Sequence, residues 1–310
     1  MSRRGWGYFC AMAVIWGVPY LLIRVAVRQL DPGVLVLFRT APVALLLVPA
    51  VARGKRWGEL VANWRWIALF GVVEFGIPWY LMASAERHIT SSLTSLLICC
   101  VPLLSVAVQR LNPSGGPVSP RRYLGLAVGA VGVVSLVGLD LRGGTAKWIV
   151  MMLCVCVGYT IGPIILATRL RGVNGVTVVM GATAVVAVAW VPWDVAHWPA
   201  RISSETFASV AVLSVVCTAG AFLVFFELVK EVGAARATVV TYVNTALAVA
   251  LGIVGLHEPL TAGIILGFPL VLVGSLIATT ERPNASVTVF DGHPDGAVNI
   301  QPQRPRGGDE

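Results

Sequence analysis

Apolar runs of about twenty residues, each bounded by charge, Gly or Pro, recur along the chain until Glu281. A helix rises 1.5 Å per residue, so a run of about 20 residues matches the roughly 30 Å hydrocarbon core of a bilayer. Reading each run as one span predicts ten helices: Trp6 to Val27, Gly33 to Ala52, Trp64 to Ser84, Thr90 to Gln109, Tyr123 to Leu139, Lys147 to Thr168, Val173 to Val191, Glu205 to Val229, Ala234 to Leu256 and Thr261 to Thr280. The Arg3-Arg4 start followed by an apolar run has the form of an export signal, yet nine more runs follow, so it reads as an uncleaved first helix. From Glu281 the chain turns polar and rich in Pro, Gly, Asn and Asp, which predicts a disordered tail over 281–310.

Composition narrows the picture. With 310 residues, 57% hydrophobic, 12% charged and a mean hydropathy of +0.82, no polar stretch before Glu281 is long enough to fold outside the membrane. An anchored soluble enzyme is excluded. All six cysteines lie inside apolar runs, where a thiol behaves as a small hydrophobe, so a disulfide scaffold is excluded too. A net charge of +8 would suit nucleic acid in another setting. Here the basic residues sit in the short connections, and 16 of the 23 collect on one alternating side against 5 on the other. By the positive-inside rule both termini are cytoplasmic, in an inner-membrane multi-pass chain.

The chain also repeats itself at an offset near 142. Gly116 to Ser119 (GPVS) aligns with Glu258 to Thr261 (EPLT), Gly125 and Gly132 with Gly267 and Gly274, and Pro32-Gly33 with Asn174-Gly175. The prediction is an all-α membrane protein of ten transmembrane helices, divided into a first five-helix repeat (1–139) and a second (140–280). Five is odd, so the second half enters the membrane from the opposite side. Inverted repeats of this kind are a transporter arrangement, with the substrate site near the midplane where the halves meet.

Several local features resemble the EamA-type branch of the drug/metabolite transporter superfamily across roughly Gly5 to Thr280. They are Trp16-Gly17 in the first span, Phe38-Arg39 in the second, Tyr242 in the ninth, and the Leu256-His257-Glu258-Pro259-Leu260-Thr261 junction, which is similar to the family's LGE-P-L-[ST] turn. The resemblance implies a small-molecule permease, most often an exporter. Two positions depart from it. Gly116 replaces the Glu of the first-half turn, and Asn244-Thr245 stands where a Glu-Pro pair is common.

Charged and aromatic residues inside the spans are the candidate chemistry. A charge at the centre of a spanning helix costs about 2.5–3.5 kcal/mol on insertion scales, so something must offset it. Glu74 lies midway along the third span and Arg39 six residues into the second. Two readings stay open: Glu74 carries a coupling proton, or Glu74 and Arg39 form a structural pair. Arg24 and Glu227 lie within a turn of their span ends and are expected to snorkel outward, and Glu258 is expected to serve as a turn and cap residue. Trp16, Tyr20, Trp79, Tyr159, Tyr242 and Asn244 lie at mid-depth on spans one, three, six and nine. Together with Arg39 they are predicted to surround one central cavity, since lipid-facing aromatics favour the interfaces instead. Pro19 and Pro163 interrupt corresponding spans, and Pro102 interrupts the fourth. No HExxH, CxxC, P-loop or GxSxG motif is present, so no cofactor, metal site or enzyme activity is expected. The partners expected are a small-molecule substrate and the lipid bilayer, with no nucleic acid. An importer of the same fold is the alternative, and a membrane enzyme or channel-like subunit the alternative from another class.

Overall fold

The computed structural model describes residues 2–110, 120–138, 145–232 and 240–279. Among them every regular element is helical, and seven helices are long and apolar enough to cross a membrane. Three shorter apolar helices accompany them. In chain order the helices are α1 (Arg3–Gly17 and Pro19–Ala26), α2 (Pro32–Arg53), α3 (Trp57–Gly71, a π segment Val72–Gly76, then Ile77–Glu86), α4 (Ser91–Ile98 and Val101–Arg110) and α5 (Pro120–Gly138). They continue with α6 (Ala146–Arg169), α7 (Gly175–Ala196), α8 (Ser204–Ser214, a π segment Val215–Gly220, then Ala221–Val232), α9 (Val240–Leu256) and α10 (Ala262–Thr279). The tail over 281–310, the GPVS turn and the predicted start of the ninth span at Ala234 lie outside the described residues.

Helix starts are written in local side-chain chemistry. Asp31 accepts from the Gly33 N–H at 2.9 Å, with Pro32 at the first helical position, and Asn174 accepts from the Val176 N–H at 3.0 Å. Thr90 and Ser203 cap α4 and α8 in the same way. Inside α4, Pro102 has no N–H to offer the Ile98 carbonyl, and the helix breaks at Cys99 and Cys100, whose N–H groups reach back only three residues. Helix α3 runs from Trp57 to Glu86, longer at both ends than the predicted Trp64 to Ser84. Hydropathy marks where the oily slab ends, whereas the backbone ladder continues until a turn intervenes. Large apolar side chains such as Leu45, Val134, Val188 and Val254 stand outward and highly exposed, and Trp6, Trp57, Trp64 and Trp198 are exposed near helix ends. An outward-facing apolar surface with tryptophans at its rims is what a bilayer solvates. The chain is a multi-pass membrane protein.

The helix contacts come in matched sets. α5 packs along α10, α2 along α7 and α4 against α9; α3 meets α6 as α1 meets α8, α1 meets α9 as α6 meets α4, and α3 meets α7 as α8 meets α2. The α5–α10 seam is the closest. A Cβ on Gly267 would lie 2.8 Å from the Gly132 carbonyl oxygen, and one on Gly132 would lie 2.6 Å from the Val271 nitrogen. Only glycine lets these backbones approach so nearly.

Candidate functional site

The chemistry of the core is set by two irregular turns. In α3, Pro78 cannot donate to the carbonyl four residues back, that of Glu74, and its ring pushes that carbonyl aside. The backbone answers with a π turn, in which the Ile77 N–H bonds to the Val72 carbonyl five residues earlier. In α8 the Thr218 hydroxyl donates to the Leu213 carbonyl, also five residues earlier, at 2.8 Å. Such insertions recur at functional sites because they rotate side chains out of the regular helical pattern.

Arg39, only 7% exposed, reaches from α2 between these two turns. Its Nε donates to Thr218 Oγ1 at 3.1 Å, and its guanidinium carbon lies 3.6 Å from the centroid of the Trp79 ring. Trp79 leans on Phe75 at 4.9 Å and comes within hydrogen-bonding reach of the Tyr159 hydroxyl on α6. Tyr159 in turn neighbours both Arg39 and Glu74, and buried Tyr20 on α1 neighbours Tyr159, Cys99 and Glu86. Burying a guanidinium costs several kcal/mol of hydration. A desolvated cation–π contact contributes about 2 kcal/mol against this, and a hydrogen bond to a charged group about 1.5–3 kcal/mol.

Glu74 points elsewhere. It packs on Gly162 of α6, where any Cβ would collide with its carboxylate, and its Oε2 is buried with no hydrogen-bond partner among the described residues. The structure therefore shows no Glu74–Arg39 pair: the π turn aims Glu74 at α6, and Arg39 is held by Trp79 and Thr218. Among the described residues the one ion pair joins Arg87 to Asp31 at 3.9 Å, in the turns after α3 and α1.

The structure brings Tyr20, Arg39, Trp79 and Tyr159 together. Asn244 is buried where α9 meets α1, with its backbone carbonyl against Gly17; Thr245 beside it accepts from the Cys99 thiol at 3.2 Å, which links it to the Tyr20 neighbourhood. Trp16 and Tyr242 do not join them. Trp16 packs against Phe225 with tilted rings at 5.1 Å in a separate cluster with Phe9 and Met12, and the Tyr242 hydroxyl lies 2.7 Å from Ser275 Oγ of α10. An open apolar groove of about 590 Å³, lined by Val72, Ile77, Val186, Trp190 and Trp193, lies between α3 and α7. Its exposed Val72 and Ile77 make it part of the lipid-facing surface.

Two acidic residues have roles that the sequence reading did not give them. Glu86, placed outside the third span by hydropathy, is fully buried at the end of α3, with both carboxylate oxygens lacking a partner among the described residues. Arg24 does not snorkel: it donates to the Glu86 backbone carbonyl, and its charge stands near the Glu86 carboxyl. The available signal was the helix-favouring Ala83-Ser84-Ala85 run that carries α3 onward. Glu258 is a cap, as expected, but of a different helix. Its carboxylate accepts from the Ser91 N–H at 2.7 Å, the Ser92 N–H at 3.0 Å and the Ser92 hydroxyl at 2.6 Å, closing the N-terminus of α4 from across the fold.

The chain is 25% identical over 253 residues to the uncharacterized inner membrane transporter YedA of Escherichia coli (strain K12), covering 79% of this chain and 81% of that one. It is 22% identical over 286 residues to an uncharacterized transporter of Archaeoglobus fulgidus, covering 89% and 99%. A solved crystal structure shares the fold with a TM-score of 0.64 at 20% identity, covering 90% of this chain and 98% of the other. The profile of the EamA-like transporter family matches twice, over residues 3–138 and 146–280. With both matches spanning nearly all of the helical chain, this membrane protein belongs to the EamA-like transporter family.

Proposed function

We propose that this membrane transporter is a ten-helix carrier of the inner membrane, built as two inverted five-helix halves (1–139 and 140–280), which exports a small organic metabolite by alternating access. The observation that carries the reading is the recurrence of the two π segments, Val72–Gly76 and Val215–Gly220, in corresponding helices on either side of Arg39. Other features recur at the same offset of 143. Thr40 donates to the carbonyls of Val36 and Leu37, and Thr183 to those of Val179 and Met180. Asp31 and Asn174 cap α2 and α7. The matched helix contacts and the doubled family match support the same division. The basic residues favour cytoplasmic termini, and the relatives named as transporters favour a small-molecule cargo.

In this reading the solute binds among Tyr20, Arg39, Trp79 and Tyr159, with Asn244 at the margin, and the halves rock about it. Glu74 is the coupling group. Its unpartnered Oε2 beside Gly162 gives a proton a place to bind in one access state and leave in the other. The test is counterflow in proteoliposomes, using the metabolite that most raises the thermal stability of the purified chain. A carrier gives saturable exchange in wild type, and Glu74→Gln keeps exchange while losing accumulation driven by a pH gradient. Flux that never saturates contradicts a carrier, accumulation in the inward direction favours an importer, and an unchanged gradient response removes Glu74 from coupling.

A further inference from the structure

The buried guanidinium of Arg39 has one hydrogen-bonding nitrogen engaged and two amino groups with no hydrogen-bond partner among the described residues. Among the described residues no carboxylate lies within ion-pair distance of it. This is not for want of acids in the core: Glu74 is directed onto Gly162, and Glu86 stands beside Arg24. The fold thus holds a permanent cation on a tryptophan face and keeps its own carboxylates off it. The side chain is fixed rather than loose, because Thr218 holds Nε and Trp79 backs the guanidinium plane at 3.6 Å. A guanidinium held in this way presents its two amino groups as a fork, and the planar acceptor that matches a fork is a carboxylate.

Resting on the carrier reading above, we propose that the cargo is a monoanionic organic carboxylate with a flat or apolar body, its carboxylate docked on Arg39. The charge arithmetic favours one negative charge over two. Among the described residues Arg39 is the one cation at this place, since Arg24 donates to the Glu86 backbone carbonyl and stands near its carboxyl, so a phosphate dianion would leave a net charge in the core. Trp79, Phe75, Tyr20 and Tyr159 supply faces for the rest of the molecule, and the Tyr159 hydroxyl can orient it. With its counter-ion on board, Arg39 no longer needs a protein carboxylate, and the loaded site can be occluded without an unpaired charge.

The probes are benzoate, phenylacetate and indole-3-acetate, with benzamide as the neutral isostere and benzylammonium as the cation, each added to the purified full-length chain at constant ionic strength. At least one carboxylate is expected to raise the unfolding temperature by several degrees at saturation, while benzamide and benzylammonium leave it unchanged. Arg39→Lys keeps the charge but not the fork, and is expected to weaken that carboxylate at least about tenfold. Arg39→Gln should abolish its effect; should that variant fail to fold, Arg39→Lys and the wild-type series carry the test. No stabilisation by any of the three carboxylates, equal stabilisation by benzamide, or a carboxylate effect that survives Arg39→Lys unchanged overturns the proposal. Flux assays separate it from the carrier reading. Saturable transport of benzylammonium without a carboxylate response leaves the carrier and removes the anion site, whereas carboxylate stabilisation without flux of any probe does the reverse.

Discussion

The π turns of α3 and α8 stand at corresponding places in the two halves of the chain, yet they carry different chemistry. The first, Val72–Gly76, is enforced by Pro78 and presents Glu74. The second, Val215–Gly220, has no such proline and presents Thr218, whose hydroxyl accepts from Arg39 Nε and donates a hydrogen bond to the Leu213 carbonyl. Backbone irregularity is shared while the side chains it presents differ. Under the repeat reading proposed above, one geometric device used twice places an acid on one side of the core and an arginine anchor on the other.

The largest expected effect comes from closing the space that Glu74 needs. Gly162→Val should lower the stability of the purified protein by about 3 kcal/mol through overpacking against the carboxylate. Pairing it with Glu74→Ala should recover most of that loss, and additive effects in the thermal unfolding series would show that the two do not touch. On the other side, Thr218→Val removes the hydrogen-bond partner of a buried cation and should cost about 2 kcal/mol, with Thr218→Ser close to wild type. If Thr218→Val is silent, the second π turn is not an anchor. The halves also differ in their turns, because Glu258 caps α4 whereas Gly116 stands at the aligned position in the first half. Glu258→Ala should cost about 1–2 kcal/mol by uncapping α4. Smallest, and the sharpest check on correspondence, are Thr40→Val and Thr183→Val. Each removes the same double back-bond to the preceding turn, and each should shift stability by no more than about 1 kcal/mol, with equal values within error.

Much of this organisation was legible in the sequence. The apolar runs place most described helix ends to within about three residues, with the start of α3 and the end of α7 the larger misses, and the glycine matches at Gly132 and Gly267 mark the seam where α5 and α10 meet most closely. Tyr20, Arg39, Trp79 and Tyr159 neighbour one another in the core. Depth alone does not fix direction around a helix, which is why Trp16 turned to Phe225 and Tyr242 to Ser275. The partner of Arg39 was hidden for a related reason. An inserted π residue turns the following helix relative to the preceding one, so regular spacing from Glu74 misjudges where Trp79 and Glu74 point. Glu86 escaped notice because hydropathy falls at the first polar residues, while helix α3 and its buried surroundings continue past them.

In the proposed carrier the two halves are inverted copies meeting at the Arg39 site. Corresponding turns must then lie on opposite sides of the membrane, and the turns before α2 and α7 are such a pair. Alkaline phosphatase fused after Leu30 and after Gly172 tests this most directly, with a fluorescent reporter that matures only in the cytoplasm fused at the same points. Inverted halves give phosphatase activity from the Leu30 fusion alone and fluorescence from the Gly172 fusion alone. The same compartment for both fusions would contradict the inversion.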